Sequence, residues 1–330
     1  MQKVIKTEIL NQNISSIRKA TQYLSKNQLV SFPTETVYGL GASAISNTGV
    51  AKIFAVKGRP KYNPLIVHIA DYQDAYRLAL VPKHAQILME NFWPGPLTLV
   101  LKQKKTNPSL ASLITGNLGT IAIRVPMHKT ARALITEFGH PIAAPSANIS
   151  GRISPTRAKD VLSNMDGKIA ALIEGDDCSI GLESTIINLS EDEPVILRPG
   201  GIPRETIEAK LGHPLKTYKQ SLGNKPKIKA PGMLETHYAP NCELKLNQRN
   251  PKTNELFLGF GYMPPDILGL NLSQSGNLTE AASNYFATLT DIDAMATLMK
   301  FKTVSVAPIP NFGLGVTIND RLKRAATPQN

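Results

Sequence analysis

Cysteine is nearly missing: Cys178 and Cys242 are the only two in 330 residues, far apart and in no C-x-x-C spacing. That excludes a disulfide scaffold and a thiolate zinc site, and it suits a reducing, cytoplasmic setting. The six histidines are scattered, with neither H-x-x-x-H nor H-E-x-x-H, so a histidine zinc site has no footing either. No run approaches the ~20 apolar residues that a bilayer demands, so no membrane partner is expected. The opening MQKVIKTEILNQNISSIRKA is interrupted by polar residues, unlike a secretory leader. Also absent are G-x-x-x-x-G-K-[ST] and G-x-S-x-G, which disfavours P-loop enzymes and hydrolases with a serine nucleophile. The G-L-G of FPTETVYGLGASA lacks the third glycine of a dinucleotide-binding turn, because Ala44 and Ile45 stand there.

Acid is scarce as well. Asp and Glu number 25 against 37 Lys and Arg, which leaves a formal charge of +12 and a pI near 9.6. Such a field draws polyanions, RNA or phosphate-bearing substrates, although a basic soluble protein without any nucleic-acid role carries the same charge. Hydrophobic residues at 42% and charged residues at 19% are ordinary for a globular protein. A single core rarely grows much beyond ~250 residues, so two domains are expected.

Up to residue 212, short apolar runs such as LVSFP, LTLVLK, GTIAIRVP, STIINL and PVILRPG alternate with helix-spaced segments, as in a mixed sheet with helices. Residues 213–241 change character. Lys216, Lys219, Lys225, Lys227 and Lys229 precede any acid, beside two prolines, which reads as a basic linker or a solvated tether. Residues 242–330 return to strands alternating with helices, a small open α/β domain. The expected class is therefore α/β with mixed α+β character.

KGRPKYNPLIVHIA, residues 57–70, holds Lys57 and Arg59 in a stretch whose geometry is restricted by Pro60 and Pro64 and loosened at Gly58. Two solvated loop charges are the plain alternative; an oxyanion site uses the fork of Arg59 and the compact charge of Lys57 better. APSANISGRISPT places Ser146, Asn148 and Ser154 after a strand-like run, suited to a phosphate or to a helix cap, Ser154 and Pro155 resembling the latter. LESTIINL carries Ser184, and LRPGG puts Arg198 at a strand end with glycines behind it. His68, alone on an apolar strand, reads as a core histidine. The collected groups fit catalysis by positioning and charge neutralisation, as in adenylyl or phosphoryl transfer.

In their order, FPTETVYGLGASA, KGRPKYNPLIVHIA, FWPGPLTLVL, IAIRVP, APSANISGRISPT, LESTIINL, LRPGG, PGMLETHYAP and INDRLKRAA resemble the YrdC-type threonylcarbamoyl-AMP synthases in their long, two-domain version. The resemblance implies a YrdC-like catalytic domain, with a twisted mixed sheet around a basic cavity, and a small Rossmann-like C-terminal domain. It implies that L-threonine, bicarbonate and ATP give threonylcarbamoyl-AMP and pyrophosphate. Mg²⁺ would accompany the triphosphate, and a transferase partner would carry the threonylcarbamoyl group to the tRNA adenosine beside the anticodon. By the family's motifs, Lys57, Arg59, Asn63, Thr120, Ser146, Asn148, Ser154 and Arg198 hold ATP, with His237 and Tyr238 closing over it. Thr36, His68, Arg124 and Ser184 face threonine. The linker motif departs from the family at Leu234, Glu235 and Thr236, where basic residues are usual. Two rivals remain. One is a double-stranded RNA-binding or ribosome-maturation module without turnover, for which tRNA or double-stranded RNA is the partner. The other is a carbamoyltransferase, whose extra cysteines this chain lacks.

Overall fold

The computed structural model describes residues 6–106, 109–218 and 238–327. Its first sheet has eleven strands, in the spatial order Glu8–Leu10, Ala171–Ile173, Val30–Phe32, Gly39–Ser43, Ile142–Ala143, Ile66–His68, Thr120–Arg124, Leu97–Lys102, Thr185–Asn188, Val195–Arg198 and Lys216–Thr217. Parallel and antiparallel pairs mix along it. Sheet pairing continues to Thr217, beyond the expected end of the catalytic domain at 212.

Local sequence explains the main boundaries. Asn13 caps the helix Ile14–Ser25 by accepting from the Ser16 amide at 2.9 Å, and Ile17, Ala20 and Leu24 face inward at helical spacing. The helix Asn47–Lys57 ends at Gly58, whose φ of +61° is a left-handed stop that glycine adopts without strain. AYRLALVPKHAQILMENF, helical in its apolar spacing, divides into Asp74–Leu78 and Lys83–Phe92, because Pro82 cannot continue the first and is preorganised to open the second.

The second sheet has four parallel strands in the order Glu243–Lys245, Thr303–Val306, Leu256–Gly259 and Gly269–Asn271. A single 22-residue helix, Leu278–Met299, runs along it; Leu314–Ala325 follows. Both contribute to one core with Leu244, Leu258, Val304 and Val306. That core also takes Val37 and Leu182 from the first domain, so the two domains share buried surface. Polar ties join them too: Arg157 grips Asp291 at 2.6 Å, and Thr317 donates to the Gly200 carbonyl at 3.0 Å. Among the described residues, no helix is long and apolar enough to cross a membrane.

Candidate active site

Strand register assembles the site. Ile66–His68 and Thr120–Arg124 run parallel with His68 opposite Arg124, so both side chains stand at the same level of the sheet. Between Ile196 and Arg198 the pairing with Thr185–Asn188 slips by one residue, which re-aims Arg198. Gly200 then lets LRPGG lie directly on LEST: a Cβ there would sit 2.3 Å from both the Ser184 carbonyl carbon and the Thr185 nitrogen. The result is a narrow cavity walled by Thr36, Arg59, His68, Arg124, Ser146, Glu183, Ser184 and Arg198.

Seven of the expected site residues therefore meet in one place, and all but Ser146 are buried. Arg59 is fixed by Nε to the Asn63 carbonyl (3.1 Å) and by Nη2 to Asn63 Oδ1 (2.6 Å) and the Pro64 carbonyl (2.7 Å). Arg198 donates through Nη2 to the Ser184 carbonyl (2.8 Å) and Oγ (3.1 Å). Burial, and then the nearby charge of Arg198, push the Arg59 guanidinium down to about 9. Arg198 is likewise shifted down, chiefly by burial. Two cations that are buried together without water are costly, and an anion among them lowers that cost. His68 is pushed down to about 3 by burial and then by Arg124, so its imidazole is neutral near pH 7. Its Nδ1 has no hydrogen-bond partner among the described residues, an orphan polar atom in a cavity wall.

Other expected residues stand behind the wall. Lys57 does not reach the cavity. Its Nζ donates to the carbonyls of Ser146 (2.6 Å) and Asn148 (2.5 Å) and faces Asn148 Oδ1 at 3.4 Å. A buried ammonium with its three protons so engaged holds the 146–148 loop, and burial moves its pKa far below the usual lysine range. Asn148 in turn accepts from Ser146 Oγ and donates to the Ile149 and Arg152 carbonyls. Ser154 gives its hydroxyl to Glu183 Oε1 at 3.0 Å. Thr120, half-buried, opens its strand opposite Lys102, toward the Asn63–Pro64 end rather than beside His68. Tyr238 is buried in the second core against Phe286, ring centroids 5.3 Å apart. His237, like Glu235, lies outside the described residues.

Sequence reading missed the acids. Glu35 pairs with Arg124 Nη2 at 2.5 Å and also accepts from the Met127 amide; Thr36 Oγ1 takes Arg124 Nη1 at 2.8 Å. The one available signal was a carboxylate inside FPTETVYG, an otherwise uncharged and buried motif. Glu183, beside Ser184, was missed for the same reason. A roomier cleft of about 640 Å³ between Asp74–Leu78 and Lys129–Phe138 is lined by the buried apolar side chains of Ile69, Leu78 and Ile135 and by exposed charges such as Arg77, which is paired to Asp74; it does not gather buried polar and charged groups as the narrower cavity does.

Residues 22–200 match the family described as Telomere recombination, and residues 202–327 the one described as Threonylcarbamoyl-AMP synthase, C-terminal domain. A threonylcarbamoyl-AMP synthase of Pyrococcus abyssi is 40% identical across 94% of this chain and 94% of its own length. The chain belongs to the threonylcarbamoyl-AMP synthase family. The Bacillus subtilis member is 47% identical over 74% of this chain and 70% of its own. The structure of P. abyssi Sua5 complexed with L-threonine superposes with a TM-score of 0.86 at 37% identity, over 97% of each chain. E. coli YciO, 23% identical with a TM-score of 0.54, shares the fold over 59% of this chain.

Proposed function

We propose that this protein is a threonylcarbamoyl-AMP synthase that joins L-threonine, bicarbonate and ATP and releases pyrophosphate, a nucleotidyl transfer. The observation that carries the reading is the convergence of three buried guanidiniums, Arg59, Arg124 and Arg198, on one cavity that the hydroxyls of Thr34, Thr36, Ser146 and Ser184 also line. Threonine's amine captures CO₂ as a carbamate. A carbamate oxygen then attacks the α-phosphorus of ATP, the bond to the β-phosphate oxygen breaks, and pyrophosphate leaves with the electron pair. Charge builds on phosphoryl oxygens throughout, and fixed cations in a dry site stabilise it best.

In this reading Arg59, Ser146 and Arg198 serve the phosphates, while Lys57, Asn148 and Ser154 hold those groups in place. Asn63 steers Arg59. Thr120, His237 and Tyr238 belong to the nucleotide side. Threonine lies against Thr36, His68, Arg124 and Ser184, and His68 Nδ1 supplies a polar contact there that no described residue takes up. Arg124 meets the carboxylate with its charge already shared with Glu35, so its remaining N–H donors orient more than they attract.

Among the described residues, no group of three or more His, Cys, Asp or Glu side chains is placed to hold a metal ion. In this reading Mg²⁺ enters with the triphosphate of the nucleotide substrate, whose charge it neutralises. The product is a mixed anhydride, and a transferase that delivers the threonylcarbamoyl group to tRNA is the partner its chemistry requires. Double-stranded RNA recognition distributes phosphate contacts over an exposed surface, which a confined cavity of buried arginines does not provide.

The test is pyrophosphate release from MgATP and bicarbonate, with L-threonine, with serine and with neither. Threonine-dependent release that collapses in Lys57→Ala/Arg59→Ala supports the synthase. A folded wild type without threonine dependence would end this reading.

A further inference from the structure

His84 and His213 face each other across two elements of the first domain, 129 positions apart in the chain. Their Nε2 atoms stand 3.4 Å apart and their ring centroids 5.1 Å, with the ring planes crossing at 72°. A hydrogen bond donated by N–H prefers ~2.9–3.0 Å, so at this spacing the two nitrogens serve each other poorly. Two imidazoles on one tetrahedral zinc ion, with Zn–N bonds of ~2.0–2.1 Å, bring their nitrogens to ~3.4 Å and their ring centroids to ~5.2 Å. A right-angled pair, as on a square-planar or octahedral ion, needs ~2.9 Å at the same bond length. The observed spacing is the edge of a tetrahedron.

Both rings are held in place by the fold. His84 is the second residue of the helix Lys83–Phe92, which buries Ala85 and Leu88. His213 follows Gly212, the left-handed stop (φ +77°) of the helix Arg204–Leu211. Glu208 pins that turn, accepting from the Leu215 amide at 2.7 Å and from Arg204 Nε at 2.6 Å. Ala85, Leu88, Ile207 and Leu215 belong to one core, so the two elements do not drift apart. Nδ1 of His213 stands 3.2 Å from the Pro214 carbonyl. A proton on Nδ1 leaves the lone pair on Nε2, the arrangement that metal-binding imidazoles use. Both side chains are half-buried, so an ion reaches them from solvent and water completes its shell.

We propose that His84 and His213 form a reversible zinc site that clasps the start of the helix Lys83–Phe92 to the turn leading into the edge strand Lys216–Thr217. Imidazole nitrogens select zinc over the hard Mg²⁺ that accompanies ATP, so this site is separate from the nucleotide's metal. Two protein ligands are fewer than a structural zinc site has, and the expected affinity is micromolar. No H-x-x-x-H spacing announces the pair, because its members come from elements distant in sequence. The proposal stands independently of the synthase reading.

The experiment uses the untagged full chain without substrates. Zn²⁺ affinity is measured by competition with a chromophoric chelator for wild type, His84→Ala, His213→Ala and the distant control His140→Ala, and melting is recorded with and without Zn²⁺. Losing a ligand costs at least the ~10-fold that removing a ligand's hydrogen-bond partner does. The expected result is therefore a Kd raised by at least that factor in His84→Ala and in His213→Ala, with His140→Ala as wild type and excess Mg²⁺ without effect. Nitrogen NMR of the imidazoles should show two Nε2 signals moving on addition of Zn²⁺ to wild type. Equal Zn²⁺ affinity in wild type and the two variants overturns the proposal, and so does movement of fewer than two imidazoles. Should either alanine variant melt early without metal, His84→Gln and His213→Gln, which keep size and polarity, decide in the same way. A protein that binds Zn²⁺ through this pair but shows no threonine-dependent pyrophosphate release fails the functional reading alone.

Discussion

Replacing Lys57 by methionine separates two roles that a buried lysine can have. If Lys57 served ATP directly, the unliganded protein would carry an uncompensated buried cation, and its removal would leave stability unchanged or raise it. In the structure, Nζ instead satisfies the Ser146 and Asn148 carbonyls, at 2.6 and 2.5 Å. Methionine keeps the length of the chain and leaves both acceptors buried without a donor. Each orphaned buried acceptor costs about 1–3 kcal/mol. Against the relief of a desolvated charge, a net loss of about 3 kcal/mol is expected, equivalent to roughly 6–12 °C in Tm at the ~2–4 °C per kcal/mol of a domain of this size. Differential scanning calorimetry without ligands measures it directly. A Lys57→Met protein that melts with or above wild type would refute the loop-holding role and return Lys57 to the phosphates.

Three other outcomes are expected. Glu35→Gln weakens the anchoring of Arg124, so the threonine KM rises roughly tenfold, about 1.4 kcal/mol, while the ATP KM stays within twofold; parallel rises in both would contradict this division of the cavity. Gly200→Ala drives a Cβ into the Ser184–Thr185 backbone and displaces Arg198, with a loss of roughly 100-fold in pyrophosphate release; near-normal turnover would show that the two loops tolerate separation. For His68 the folded pKa is about 3 against ~6.5 unfolded. The unfolded chain therefore binds the extra proton between these values. Its contribution is complete above pH ~6.5 and is lost as pH falls, at up to about 1.4 kcal/mol per unit. Urea titrations at pH 5 and 7 should show this part of the slope vanish in His68→Asn; an identical slope in both proteins would exclude His68 as its source.

Much of this was legible in sequence because its causes are local. Asn13 before an apolar-periodic run, Gly58 after one, and hydroxyls at strand ends announce a cap, a stop and a ligand-facing rim within a few residues. The second domain's strand-helix alternation was readable for the same reason. What escaped depends on distant partners. Lys57 beside a glycine and two prolines reads as a clamp, and nothing near it announces that its Nζ meets carbonyls 89 and 91 positions away. Glu35 and Glu183 leave no periodic trace, since their burial is made tolerable by Arg124 and Arg321, 89 and 138 positions on. The bulge that re-aims Arg198 belongs to a strand pair, and no single strand encodes it.

The pairing of Glu183 with Arg321 also has a temporal meaning. At synthesis rates of ~5–20 residues per second, the arginine follows its carboxylate off the ribosome by roughly 7 to 28 seconds. Over that interval the sheet that carries Arg59, Arg124 and Arg198 can form, but Glu183 is without the cation that fixes it and must stay hydrated or take up a proton. A nascent chain therefore acquires its finished cavity only after residue 321 has been made and its helix has docked.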